Sequence, residues 1–91
     1  MVIEPLTPQL ADRLELDRDA EGVVITDVDP SGAAASAGLR EGDVIQQVNG
    51  RSVRSTEQVR AGLESASDKP VVLLVARAGG SFFVPLRAPR G

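Results

Sequence analysis

The 91-residue chain contains neither cysteine nor histidine. Without cysteine there is no disulfide, no thiol nucleophile and no thiolate metal site, and the redox compartment stays open. Without histidine a Ser-His-Asp triad cannot be assembled within the chain, and an imidazole metal site is excluded on the same ground. Tryptophan and tyrosine are also missing, so Phe82 and Phe83 are the only aromatic residues. The formal net charge is -3. Few rings for bases to stack on, and no basic field for phosphates, argue against nucleic-acid partners. No apolar run approaches the ~18 residues of a membrane span. No leader-like segment opens the chain, so an exported parent is expected to carry this stretch internally.

What is present suits one small globular domain. Hydrophobic residues make up 42% and charged residues 25%, with the two signs mixed along the chain. Residues 1–6 read as a short strand ended by Pro5. Thr7-Pro8 is a helix start, with Thr7 as N-cap, and Leu10 and Leu14 give residues 8–14 one apolar face. Residues 22–28, GVVITDV, are rich in β-branched side chains and predict a strand. Residues 31–37 predict a short alanine-rich helix, capped by Ser31 and stopped by a left-handed Gly38, with Leu39 folding back beneath it. Gly42-Asp43 is read as a turn, residues 43–48 as a strand, Asn49-Gly50 as a hairpin turn and residues 51–53 as the return strand.

Residues 55–66 form the longest predicted helix, capped by Ser55 or Thr56, with Thr56, Val59, Leu63 and Ala66 on one face. The segment 68–70 closes it. Residues 71–77 are almost continuously apolar, which predicts a strand covered on both faces. Gly79-Gly80 turns the chain into a last strand over 81–86, and residues 88–91 are expected to fray. The expected fold class is α+β: a small, partly open β-barrel or sandwich of five to six strands with one long and one or two short helices. A barrel this small fills with its own side chains, so ligands must bind at an edge or groove.

The stretch GVVITDVDPSGAAASAGLREGDVIQQVNGRSV, residues 22–53, resembles the central signature of PDZ domains. The order of elements is similar to the circularly permuted bacterial arrangement, in which the strand equivalent to residues 81–86 comes last. The opening VIEPLTPQLADRL and the closing PVVLLVARAGGSFFVPLR resemble the second PDZ domain of HtrA/Deg-type serine proteases. On this resemblance residues 1–87 are the PDZ domain and 88–91 a tail. It implies a non-catalytic, regulatory module of a periplasmic protease. Its partners are C-terminal or unfolded peptide segments, and other domains of the parent protease; no cofactor is implied. The peptide adds as a strand between the sheet edge and the long helix.

Carried onto this sequence, Met1, Val2, Ile3 and Glu4 form the edge strand and Thr56, Val59, Arg60 and Leu63 the facing helix wall. Met1 and Ile3 point one way by the two-residue period and, with Val59 and Leu63, make an apolar pocket. Arg60 pairs with an acidic peptide side chain or with Glu4. In the family a carboxylate-binding loop precedes the edge strand; the chain starts at Met1, so peptide binding is expected to be weak. Each role has a plainer competitor. Val59 and Leu63 fit core packing, Ile3 fits core or pocket, and Arg60 fits a solvated helix face. Asp27, Asp29 and Asp43 fit turn chemistry better than a metal site. A Ser-Lys dyad using Lys69, the only lysine, lacks an environment that lowers the amine's pKa. Two other functional classes compete: a domain that holds a protease oligomer together without a free peptide, and a PDZ domain of an intramembrane protease or secretion component.

Overall fold

A computed structural model describes residues 1–64, 70–77 and 80–86. Its elements are β1 (Val2–Pro5), α1 (Pro8–Arg13), β2 (Val23–Asp27), α2 (Ala33–Ser36), β3 (Val44–Val48), β4 (Arg51–Ser52), α3 (Thr56–Glu64), β5 (Val71–Arg77) and β6 (Gly80–Leu86). All six strands form one antiparallel sheet in the order β1-β2-β3-β5-β6, with β4 paired to β3 off that path. The sheet stays open, with β1 and β6 at its two edges. The expected end of α3 at Ala66, together with Asp68, Lys69, Gly79 and the tail 88–91, lies outside the described residues.

The two faces of the sheet carry separate cores. The main one gathers Val23, Ile25, Ile45, Val48, Leu73, Val75 and Val84 beneath Val59 of α3, with Leu39 sealing it below α2. Ile3, Leu63 and Phe82 pack against its rim. On the opposite face Val24, Val44 and Ala76 are covered by Leu6, Leu10, Leu14 and Leu16, which α1 and its flanks supply. That cover stops short of the β5–β6 end. Val72 is 40% exposed and Phe83 68% exposed, so β5 is covered on one face only along part of its length. The run of apolar residues in β5 suggested cover on both faces, but one short α1 cannot reach across five strands.

Local chemistry sets the element ends. Thr7 accepts the Leu10 N–H through Oγ1 at 3.2 Å, with Pro8 following at the first turn. α3 begins with a reciprocal pair: Ser55 Oγ accepts the Gln58 N–H, and Gln58 Oε1 accepts the N–H groups of Ser55 and Arg54. α2 departs from expectation. Its N-cap is Gly32 and makes no side-chain bond. Ser31 instead donates its N–H and its hydroxyl to Asp29 Oδ1, at 3.0 and 2.9 Å, because aspartate before proline closes its own tight turn first. Asn49 and Gly50 both have positive φ, 51° and 82°, the backbone a two-residue hairpin needs between β3 and β4. Asn49 also accepts the Val72 N–H through Oδ1 and donates its own N–H to the Val72 carbonyl, each at 2.8 Å, which ties that turn to β5.

Asp43 is the one buried charged residue among the described residues, with 2% exposure. It stands at the expected turn into β3, where its N–H is donated to the Arg40 carbonyl at 3.2 Å. Its carboxylate accepts Arg77 Nε at 2.7 Å, Arg77 Nη2 at 2.6 Å and the Arg40 N–H at 3.0 Å. Arg77 Nη2 also donates to the Gly38 carbonyl at 3.1 Å, and the guanidinium lies 4.7 Å from the centre of the Phe82 ring. One fork thus joins the end of α2, the start of β3, β5 and β6. The hydrogen bonds and charge of Asp43 raise the Arg77 pKa above its ordinary value, against a smaller opposing effect of burial.

Arg77→Met strands the buried Asp43 carboxylate and is expected to lower stability by about 2–4 kcal/mol, read from urea denaturation. Because the arginine is itself partly exposed, Asp43→Asn is expected to cost less, about 1–2 kcal/mol. Gly62→Ala tests the packing of α3: a Cβ there meets Val48 Cγ1 at 2.6 Å. It is expected to destabilise by about 1–3 kcal/mol despite the better helix propensity of alanine.

Candidate functional site

The free edge of β1 follows from its register. Ile3 lies opposite Ile25, Glu4 opposite Val24 and Pro5 opposite Val23, with a bulge between Val2 and Ile3. Ile25 donates its N–H to the Asp43 carbonyl and accepts the Gly42 N–H, so its backbone is turned toward β3. In an antiparallel ladder the residue across from it then turns its own N–H and C=O outward. Ile3 is that residue. Leu6 donates to the Gly22 carbonyl at 3.0 Å, which places the even-numbered residues toward β2. Pro5 shares the outward parity of Ile3 but has no N–H. From Ile3 to Pro5 the edge therefore presents one donor, Ile3 N–H, and two acceptors, the carbonyls of Ile3 and Pro5. Thr26 Oγ1 donates to the Val2 carbonyl at 3.3 Å and pins the bulge.

α3 runs beside this edge. At about 100° per residue, Thr56, Arg60 and Leu63 share one flank and Gln58, Ala61 and Gly62 the other. The second flank faces the β3–β4 hairpin, where Val48, Asn49, Arg51, Ser52 and Val53 complete a depression. The first flank therefore turns toward β1. A second depression, beside Arg13, Arg40 and Asp43, is also remote from β1. Ile3 of β1 and Thr56 and Leu63 of α3 are half-buried, and Ile3 and Leu63 pack against the main core; neither depression is lined by a residue of β1. Val59, expected to line the pocket with Leu63, is fully enclosed in the main core. Arg60 is exposed at the rim, and neither it nor Glu4 appears in an ion pair of the described residues. Met1 and Val2 are exposed beyond the bulge, and Glu4 points to the opposite face of the sheet, since its partner Val24 belongs to the second core.

A family model described as "PDZ domain" matches residues 24–77. The chain belongs to the PDZ domain family. The PDZ match is supported by a relative from Chlamydia muridarum named "Probable periplasmic serine endoprotease DegP-like", 33% identical over 86 residues. The alignment covers 94% of this chain and 17% of that protein, so this PDZ domain spans a small fraction of its curated relative. The crystal structure of the HtrA3 PDZ domain bound to a phage-derived ligand (FGRWV) has the same fold, with a TM-score of 0.80 at 23% identity over 96% of this chain and 79% of that one. The HtrA-type protease AlgW with a decapeptide matches with a TM-score of 0.75 at 27% identity, over 97% of this PDZ domain and 28% of that chain. This PDZ domain is similar to the PDZ domains of HtrA/Deg-type proteases.

The backbone parity of β1 was not visible in the sequence, because it depends on where β1 is bulged against β2. The outward flank of α3 was visible as the spacing of Thr56 and Leu63. The three aspartates have separate roles: Asp43 accepts from Arg77 and Arg40, Asp29 accepts from Ser31 through Oδ1, and Asp27 ends β2. Among the described residues no group of three acidic, cysteine or histidine side chains is arranged to hold a metal. The Ser31 N–H, and after it the Ser31 hydroxyl, hold the Asp29 carboxyl below its ordinary value. Its contribution to stability is therefore present above the unfolded-state pKa and lost as pH falls through the lower, folded one. A carboxyl-detected NMR titration is expected to place the Asp29 midpoint below that of an unstructured aspartate, and Ser31→Ala to move it upward.

Proposed function

We propose that this PDZ domain is a peptide-binding, regulatory module of an exported, periplasmic HtrA/Deg-like serine protease. An extended or C-terminal peptide segment adds to β1 as a further antiparallel strand and lies between β1 and α3. The observation that carries this reading is the outward-facing backbone of Ile3 on an edge strand that runs beside α3; the space between Ile3 and Leu63 is read as the slot that receives the ligand. A ligand residue paired with Ile3 exchanges two backbone hydrogen bonds with it and points its side chain to the same face, toward Leu63 and over Val59. Met1 and Val2 extend the wall where the ligand runs past the bulge. Thr56 offers a hydroxyl, and Arg60 a guanidinium for an acidic ligand side chain or carboxylate. Peptides carried by HtrA3 and AlgW in their structures support the reading, as does the periplasmic naming of the chlamydial relative.

A second reading rests on a separate observation. Val72, Leu74, Phe83 and Pro85 share the uncovered end of the outer sheet face, far from the slot. Since the domain covers 17% of its chlamydial relative, the remainder of a parent of that kind supplies domains able to cover Phe83. Docking there is compatible with an open slot.

Titration of the 15N-labelled domain with a peptide ending in an apolar residue tests the first reading. Few backbone groups are offered, so the expected Kd is weaker than about 10 μM. Shifts are expected at Ile3, Thr56, Arg60 and Leu63, and Leu63→Glu is expected to weaken binding at least ~10-fold by placing a charge in the apolar slot. Shifts confined to residues outside β1 and α3, or unchanged affinity in Leu63→Glu, contradict it.

A further inference from the structure

We propose that Glu4 makes the slot selective for a lysine or arginine at one defined ligand position. The proposal rests on strand addition at β1 and specifies which charge that strand carries on its second face. The two faces of an added strand meet different surroundings. Ligand residues paired with Ile3 face the slot, whereas the next residue along lies directly across from Glu4. In antiparallel pairing the β1 numbering rises as the ligand numbering falls, so the residue opposite Glu4 is the one immediately preceding the Ile3-paired residue. Glu4 is exposed, and across β2 its neighbour is the apolar Val24. Its carboxylate has no ion-pair partner among the described residues, whereas three arginines are engaged elsewhere: Arg18 with Asp12, Arg54 with Glu21 and Arg77 with Asp43. A cross-strand cation is the interaction this position lacks.

Geometry favours the contact. Side chains directly opposite on neighbouring strands have Cβ atoms about 5 Å apart, near enough for a lysine or arginine to reach a carboxylate without distorting the backbone. The domain's formal charge of -3 also attracts basic segments at longer range. The side chains facing α3 are read by apolar contact and by Arg60. The ligand class is therefore an extended segment with an apolar residue directed to Leu63 and a basic residue directly before the one that pairs with Ile3.

The test uses synthetic decapeptides with an apolar C-terminal residue, in which lysine, alanine or glutamate is placed at each position in turn, with binding followed by fluorescence polarisation. At one position lysine is expected to bind about three- to tenfold more tightly than glutamate. Glu4→Gln is expected to erase that preference and Glu4→Lys to reverse it at the same position, with apolar selectivity elsewhere unchanged. The preference is also expected to shrink as salt is raised. Binding that is abolished by Leu63→Glu but shows the same charge preference in wild type and Glu4→Lys overturns the Glu4 proposal while leaving the slot intact. Absence of binding for every peptide overturns both.

Discussion

The pairing of Ile3 with Ile25 governs what this domain can offer to another chain. Ile25 is fully buried and spends its backbone on β3, so Ile3 must spend its own away from the sheet. The same pairing aims the Ile3 side chain at the main core and the Glu4 side chain at the outer face. A one-residue slip exchanges all of these assignments at once. The slip is opposed because it removes Ile3 from the apolar rim and exposes it. The bulge at Val2, held by Thr26, and Pro5 confine the usable edge to a short segment centred on Ile3.

That edge is useful only if the sheet beneath it is rigid, and rigidity is concentrated in the fork between Asp43 and Arg77. The Asp43 carbonyl receives the Ile25 N–H while its side chain holds Arg77, so a single residue connects the second strand, the end of α2 and the far strands of the sheet. A buried carboxylate costs stability unless it is paired and hydrogen-bonded, and here each oxygen is engaged. α3 is set by a different device. Gly62 lets the helix approach Val48, and the reciprocal bonds of Ser55 and Gln58 fix its first turn. α3 thereby packs against β3 while it also lies beside β1.

Much of this was legible in the residues. Asn49-Gly50 placed its hairpin correctly, Thr7-Pro8 its helix start, and the β-branched runs their strands. The open α+β sheet followed from their order, and the PDZ resemblance carried by residues 22–53 agrees with the family match over 24–77. Two of the failures share a cause: each concerned a side chain with two available partners. Ser31 was read as a helix cap but is held by Asp29. Asp43 was read as a turn residue, which it is, but its second partner, Arg77, thirty-four positions later, was missed. An arginine ending an otherwise apolar strand was the available signal, since such a charge needs a buried partner. The continuous apolar character of β5 reported burial on one side and bareness at Val72 on the other, a difference that depends on the reach of α1.

The most direct measurement is amide hydrogen exchange at Ile3, compared in the free domain and with saturating peptide. This amide is expected to exchange readily when the domain is free, because it faces solvent, and to become protected when a ligand carbonyl accepts it, while the inward-facing Glu4 amide changes little. Protection of Ile3 in the free domain, or peptide-induced protection that bypasses Ile3, contradicts it.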